Sequence, residues 1–306
     1  MENKYDLIII GAGPAGLSAS IYASRYGIKH VIIGSLLGGQ ISETHLIDNY
    51  PGIEDCSGFE FSQKLGNHAK KYGVEILPKK VIEISKNEAG FEVALETGEK
   101  LQAKTILLGT GTQKRTLNVE GEQDFLGKGV SYCATCDGFF YRNKTVAVVG
   151  GNDSATGAAL HLANIAEKVY IIYRKDKLRA EDYWIDLIEK NEKIEVVYNT
   201  NVIKVAGENK LQTLTLDKKH QSKTELNVDG LFIEIGSDPK IDFAKNLGIA
   251  VDSDGYIEIS TDGKTTVPGI WAAGDITTGS DKFKQVLTAA SEGAIATRSI
   301  SDFLKK

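Results

Sequence analysis

The chain has 306 residues, enough for two domains with buried cores. Its 36 basic and 41 acidic residues give a net charge of −5 with no basic block of the kind that tracks a phosphate backbone, so no nucleic acid partner is expected. No stretch approaches the roughly 20 apolar residues of a membrane span, and the early run Leu7-Ile8-Ile9-Ile10 is too short for a signal peptide; the expectation is a soluble cytoplasmic protein with no membrane partner.

Tyr5 to Ile10, apolar and rich in β-branched residues, predicts a buried strand. It runs into Gly11-Ala12-Gly13-Pro14-Ala15-Gly16, then a small-residue helix from about Leu17 to Tyr26 and a second strand at His30 to Ile33. Strand, G-x-G-x-x-G, helix, strand is the dinucleotide-binding fingerprint in the context it requires. Gly11 allows the tight turn, Gly13 lets a pyrophosphate approach the backbone, and Gly16 lets helix and strand pack closely, with the helix N-terminus toward the phosphates. The acidic residue that usually ends the second strand is missing, the sequence there being Ile33-Gly34-Ser35-Leu36.

Gly38-Gly39-Gln40 and Asp48-Asn49-Tyr50-Pro51-Gly52 are turn-rich loops. A helix from about Gly58 to Tyr72 precedes short strands around Ile82 to Ile84 and Phe91 to Ala94. Lys104 to Leu108 is another buried strand, ending in Gly109-Thr110-Gly111. Gln113 to Glu122 is polar and without periodicity, and reads as a crossing between domains.

In Ser131-Tyr132-Cys133-Ala134-Thr135-Cys136-Asp137-Gly138, two thiols two residues apart can close into a small, reducible disulfide. Taken alone the pair is open to three readings: half of a zinc site, a redox couple or coincidence. Cys56 is the one other cysteine, too few for a structural disulfide framework. A zinc site needs four ligands, and none of His30, His45, His68, His161 or His220 pairs with another at ligand spacing.

The first layout then repeats. Thr145 to Val149 enters Gly150-Gly151-Asn152-Asp153-Ser154-Ala155, a helix follows to about Ala166, and the strand Lys168 to Ile172 ends in Tyr173-Arg174-Lys175-Asp176-Lys177-Leu178-Arg179. Val228 to Gly236 parallels the strand and glycine at Ile106 to Gly109. Two nucleotide-binding layouts imply two dinucleotides, an electron-transfer arrangement. Gly269 to Asp275 is a short strand with an acidic turn, and a helix from about Phe283 to Phe303 closes the chain. The expected fold is α/β, with two Rossmann-like dinucleotide-binding domains of the three-layer ββα type. The second, 115–244, is inserted into the first, 1–114 with 245–306.

With these pieces in order the chain resembles the low-molecular-weight thioredoxin reductases, FAD-dependent pyridine nucleotide-disulfide oxidoreductases, over essentially its whole length. The match rests on Gly11 to Gly16, Gly38-Gly39-Gln40, Asn49-Tyr50-Pro51-Gly52, Thr110-Gly111-Thr112, Cys133-Ala134-Thr135-Cys136-Asp137 and Ala272-Ala273-Gly274-Asp275. The resemblance implies FAD in the outer domain, its pyrophosphate over Gly11, Gly13, Pro14, Ala15 and Gly16. Gly39, Gln40, Asn49, Thr110 and Gly111 would lie on the flavin side, Gly274 and Asp275 at the ribityl chain, and Lys284 and Gln285 near the ring. The inner domain would take NADPH over Gly150, Asn152, Asp153, Ser154 and Ala155, with Arg174, Lys175 and Arg179 at the 2′-phosphate. Electrons would pass through FAD and the Cys133–Cys136 pair to thioredoxin or a thioredoxin-like protein. Cys136 would be nearer the flavin, Cys133 would attack the partner, and Asp137 would move the accompanying proton. The family is homodimeric, and its inner domain swings; Gln113 to Glu122 and Ser237 to Lys245 are the hinge candidates.

The departures from the family fall in the inner domain. Asn152 replaces the middle glycine, Gly157 and Ala158 stand where the following helix usually carries an acid, and Tyr173 replaces the His of His-Arg-Arg-x-x-x-Arg. They admit a different donor, such as NADH, a deazaflavin or ferredoxin; a small-molecule dithiol oxidase of the same fold is a further alternative. Tyr22 and His45 are expected to pack rather than to line the flavin pocket, and Cys56 to be an incidental loop thiol.

Overall fold

The structure is a computed structural model that describes residues 4–44, 47, 49–239 and 241–305. The expectations for His45 and Asp48 therefore lie outside the described residues. The chain forms two compact units, Met1–Gln113 with Asp238–Lys306, and Lys114–Ser237.

In the outer unit the strand Lys4–Ile10 pairs in parallel with His30–Ile33 on one side and Lys100–Leu108 on the other. Side chains alternate across a strand, so Leu7 and Ile9 face one layer and Ile8 and Ile10 the other. Leu7 and Ile9 pack with Leu17, Ala296 and Ile300 of the helices Pro14–Arg25 and Val286–Leu304. Ile8 and Ile10 pack with Phe91 and Val93 of the antiparallel hairpin Val81–Asn87 and Gly90–Leu95. Strand Lys100–Leu108 is shared along its length: Lys100–Ala103 pairs with the hairpin, and Ile106–Leu108 pairs with Ile270–Ala272 from the end of the chain. That pairing returns the C-terminal segment to the outer sheet. The first helix starts at Pro14 rather than near Leu17, because proline's fixed φ suits the first helical position, where its missing N–H costs nothing.

The inner unit repeats the scheme with a five-stranded parallel sheet. Thr145–Val149 lies between Lys168–Ile172 and Gly230–Ile233, flanked by Ile194–Val197 and Val130–Ser131. Val146 and Val148 face the helix Asp153–Ala163, whereas Ala147 and Val149 face Val205, Leu214 and Leu226 of a three-stranded antiparallel sheet. Helix, parallel sheet and antiparallel sheet are the three layers.

The unit boundary falls between Ser237 and Asp238. Ala244 is buried in the outer core, and Ile241, Phe243 and Leu247 pack against it, so the sequence-based boundary at 244/245 sits inside a packed segment. Among the described residues no helix is long and apolar enough to cross a membrane.

Candidate functional site

The outer turn is built by close backbone approach. Gly11 has φ +118°, and a Cβ there would lie 2.1 Å from the Gly109 carbonyl oxygen. A Cβ on Gly16 would lie 1.9 Å from the oxygen of Gly11, so helix and strand meet only because that atom is absent. Gly13 differs: the nearest atom to a Cβ there would be the Gly38 oxygen at 3.8 Å, an ordinary contact, so no backbone clash requires glycine at this position. Gly13 caps the helix with φ −83° and ψ −173° and makes no side-chain cap bond, and the first turn contains no acidic residue. The helix start is therefore free to meet an anion.

The other outer candidates gather in the same unit. Gly39, with φ +59°, packs against Gly13, and Gln40 Nε2 donates to the Thr112 carbonyl at 2.6 Å and hydroxyl at 2.9 Å. Asn49 Nδ2 donates to Gln285 Oε1 at 3.0 Å, and Gln285 opens the last helix by donating its N–H to Thr288 Oγ1. Thr110 Oγ1 is buried and, among the described residues, has no hydrogen-bond partner. Gly111 follows it with φ +64°. Gly274, at φ +80°, approaches Ala15 and donates its N–H to Glu292 at 2.8 Å. Burial pushes the Asp275 carboxyl above its usual range; the Lys284 ammonium opposes the shift and Glu292 adds to it. Lys284 itself lies over the Tyr256 ring, 4.0 Å from its centroid, and bonds its hydroxyl. Just upstream, Ser280, Asp281 and Lys282 all have left-handed φ values of 50–57°, and Lys282 holds this turn through Asp252 at 2.6 Å and Asp254 at 3.0 Å.

In the inner unit Cys133 and Cys136 form a disulfide, with Cα atoms 5.3 Å apart. Cys133 caps the short helix Ala134–Asp137, and the Cys136 N–H donates to Cys133 Sγ at 3.1 Å. Asp137 follows directly and is half-buried, like Cys133, while Cys136 is exposed. The loop carrying the pair is anchored from behind. Tyr132 donates its hydroxyl to Glu122 at 2.5 Å, and Glu122, 1 % exposed, also accepts the N–H groups of Leu117, Asn118 and Val119. Lys114 bonds the Tyr132 carbonyl and Glu234. Phe139 and Phe140, 67 % and 69 % exposed, leave an apolar patch beside the pair.

The inner turn copies the outer one up to its third position. Gly150 has φ +149°, and a Cβ there would lie 2.2 Å from the Glu234 oxygen. Gly151 lies under the Tyr173 ring, which is 7 % exposed and would come within 2.5 Å of a Cβ. Asn152 then caps the helix with its own side chain, Oδ1 accepting the Ala155 N–H at 3.1 Å. Asp153 accepts the Glu181 N–H at 2.7 Å, and the Arg179 N–H donates to Gly151 at 2.6 Å, so the segment after the second strand closes over the turn. Ser154 is exposed in the first turn. Arg174, Lys175 and Arg179 are exposed, and among the described residues none has an ion-pair partner.

The family model for pyridine nucleotide-disulphide oxidoreductases matches residues 5–293. Thioredoxin reductase of Bacillus subtilis (strain 168) is 38 % identical over 308 residues, covering 100 % of this chain and 96 % of that protein. Thioredoxin reductase of Treponema pallidum (strain Nichols) is 39 % identical, covering 99 % and 98 %. This chain belongs to the thioredoxin reductase family. Among solved structures, the thioredoxin reductase of Lactococcus lactis in its FR conformation matches with a TM-score of 0.93 at 35 % identity, covering 98 % and 99 %.

Thioredoxin reductases, as members of the pyridine nucleotide-disulphide oxidoreductases, use a flavin and a pyridine nucleotide. The outer unit fits the flavin nucleotide. Its helix start has no side-chain cap, Gly13 puts no side chain over it, and Thr110 holds a buried hydroxyl that lacks a partner among the described residues. The inner unit does not fit a pyrophosphate at its turn, because the Asn152 side chain stands in the space that glycine leaves open.

Two residues depart from their sequence-based reading. Tyr22 is 40 % exposed beside Tyr26 instead of packed, since it lies on the solvent side of the first helix. Cys56 is buried with Ile41, Ile47 and Phe61, Lys64 donating to its sulfur at 3.8 Å. The Glu122 anchor carries no motif: it is one of two acids, with Glu120, inside a stretch read only as polar.

Proposed function

We propose that the protein is a flavin-dependent disulfide reductase of the thioredoxin type. FAD is held by the outer unit at Gly11, Gly13, Pro14, Ala15, Gly16, Gly39, Gln40, Asn49, Thr110, Gly111, Gly274, Asp275, Lys284 and Gln285. Cys133 and Cys136 are the exchange centre, and the disulfide of a thioredoxin-like protein is the substrate. The observation that carries this reading is the Cys133–Cys136 disulfide at the start of a short helix, with Asp137 next to it. When bound, FAD supplies the electron pair that opens this disulfide.

The reduced pair then works by exchange. The Cys133 thiolate attacks one sulfur of the partner disulfide, forming a mixed disulfide and releasing the other partner sulfur as a thiolate. Cys136 attacks the Cys133 sulfur, re-forming the internal disulfide and releasing the second partner thiol. The N–H that Cys136 directs at Cys133 Sγ favours the thiolate there, and Asp137 takes up and returns the Cys136 proton. Phe139 and Phe140 offer the apolar surface against which a protein disulfide can dock. The donor that reduces the flavin is left out of this proposal, because Asn152 spends its side chain on capping the inner helix at the Ala155 N–H.

Trapping tests the reading. Reduced Cys136→Ser protein mixed with oxidised thioredoxin is expected to hold a covalent adduct through Cys133, visible on a non-reducing gel and by intact mass. Absence of an adduct from both Cys136→Ser and Cys133→Ser would refute the exchange centre.

A further inference from the structure

The two glycine turns of this chain are copies, so one serves as the reference for the other. Gly11, Gly13 and Gly16 correspond to Gly150, Asn152 and Ala155. The backbone at the third position is nearly the same in both, φ −83° and ψ −173° at Gly13, φ −101° and ψ −179° at Asn152. A Cβ therefore leaves the chain in the same direction at both places. In the outer turn no side chain takes that direction, and the nearest atom to a Cβ placed there would be 3.8 Å away. In the inner turn the Asn152 side chain fills it and bends back to the Ala155 N–H at 3.1 Å. That N–H belongs to the residue equivalent to Gly16, at the helix end where a pyrophosphate is ordinarily received.

We infer that Asn152 closes the inner unit to the pyrophosphate of a nicotinamide dinucleotide, so that NAD(P)H is not a ligand of this unit and the flavin draws its electrons from a donor that does not dock there. The inference rests on the flavin–dithiol reading above. Two neighbouring features agree with it. The Tyr173 ring covers Gly151, the second residue of the turn. The Arg179 N–H is bonded to the Gly151 oxygen, drawing the following segment over the turn. Arg174, Lys175 and Arg179 remain exposed, but a phosphate held by them alone lacks the helix start that would fix the rest of the dinucleotide.

The test is an anaerobic titration of wild type, Asn152→Gly and Asn152→Ala with NADPH. It reads nucleotide binding by quenching of protein fluorescence and flavin reduction by loss of visible absorbance. A melting curve of each variant accompanies it, because Asn152→Gly also removes a helix cap. Wild type is expected to show neither binding nor bleaching at millimolar NADPH. Asn152→Gly is expected to bind roughly 100-fold more tightly, the value of two recovered charge-assisted hydrogen bonds. Asn152→Ala, which keeps a Cβ but loses the amide, falls between. Wild-type bleaching at micromolar NADPH overturns the inference, and so does a folded Asn152→Gly protein that binds no better than wild type. In parallel, flavin reduced by light and a sacrificial donor is offered thioredoxin. Transfer there with no response to NADPH upholds both readings, whereas failure of transfer strikes the flavin–dithiol reading alone.

Discussion

Gly13 and Asn152 occupy the same position in two copies of one turn, with backbone angles that differ by less than about 20°. A single side chain separates a cradle that stands open from one that caps itself.

Thr110 offers the cleanest probe of the flavin site. Its hydroxyl is buried without a partner, so Thr110→Val removes an unsatisfied polar atom while keeping the shape. The flavin-free protein is expected to melt at the same temperature or higher, whereas flavin affinity falls by roughly 10-fold if the hydroxyl bonds the cofactor. Calorimetric flavin titration beside melting of the apoprotein reads both effects. Unchanged affinity would remove Thr110 from the site.

Gly16→Ala places a methyl group 1.9 Å from the Gly11 oxygen, and backbone cannot yield as a flexible side chain does. The expected cost is about 2 kcal/mol or more of outer-unit stability. The protein should purify with little flavin, measured by the ratio of visible to ultraviolet absorbance. Gly13→Ala meets nothing closer than 3.8 Å, so it should fold normally yet bind flavin less tightly.

The Asp275 carboxyl is raised by burial, which disfavours its charged form in the folded protein. Stability linked to its protonated form is present below the ordinary carboxylate pKa and is lost as pH rises through the folded value. Flavin-free Asp275→Asn should therefore be more stable than wild type at pH 7, with the gap closing toward about pH 4. Melting curves across that range check the sign. A gap that widens on acidification would show that the Lys284 attraction outweighs burial.

Glu122 holds Tyr132, and with it the start of the Cys133 loop, through bonds to three backbone N–H groups and one hydroxyl. Glu122→Ala should destabilise the inner unit by roughly 2–4 kcal/mol, since buried donors lose their acceptor, and Tyr132→Phe by about 1 kcal/mol. Hydrogen exchange at 117–119 and 130–133 should rise more in the first variant than in the second. Equal protection in both would mean that the anchor does not hold the loop.

Much of this architecture can be read from residues alone. The apolar runs at Leu7 to Ile10 and Val146 to Val149 are strands buried on both faces, and the glycines after them leave little choice of turn. Asn152 was visible as an oddity, but its consequence depended on where its amide pointed, which spacing does not encode. Glu122 lay in a stretch with no periodicity, and its burial follows from four donors converging from Leu117 to Tyr132. Cys56 looked like a loop thiol because its neighbours Asp55 and Ser57 are polar; the apolar cluster around it comes from Ile41, Ile47 and Phe61. Long-range convergence of this kind leaves no local pattern to read.

Transfer of electrons by Cys133 and Cys136 from a bound flavin to a protein disulfide is measured in a single anaerobic turnover. Wild-type protein is reduced by light, excess reductant is removed, and oxidised thioredoxin is added while its thiols are counted. Two new thioredoxin thiols are expected for each electron pair lost from the wild-type protein, none from Cys133→Ser protein with the same flavin content, and from Cys136→Ser only the single thiol released as Cys133 forms its mixed disulfide. Full transfer by either serine variant would contradict this.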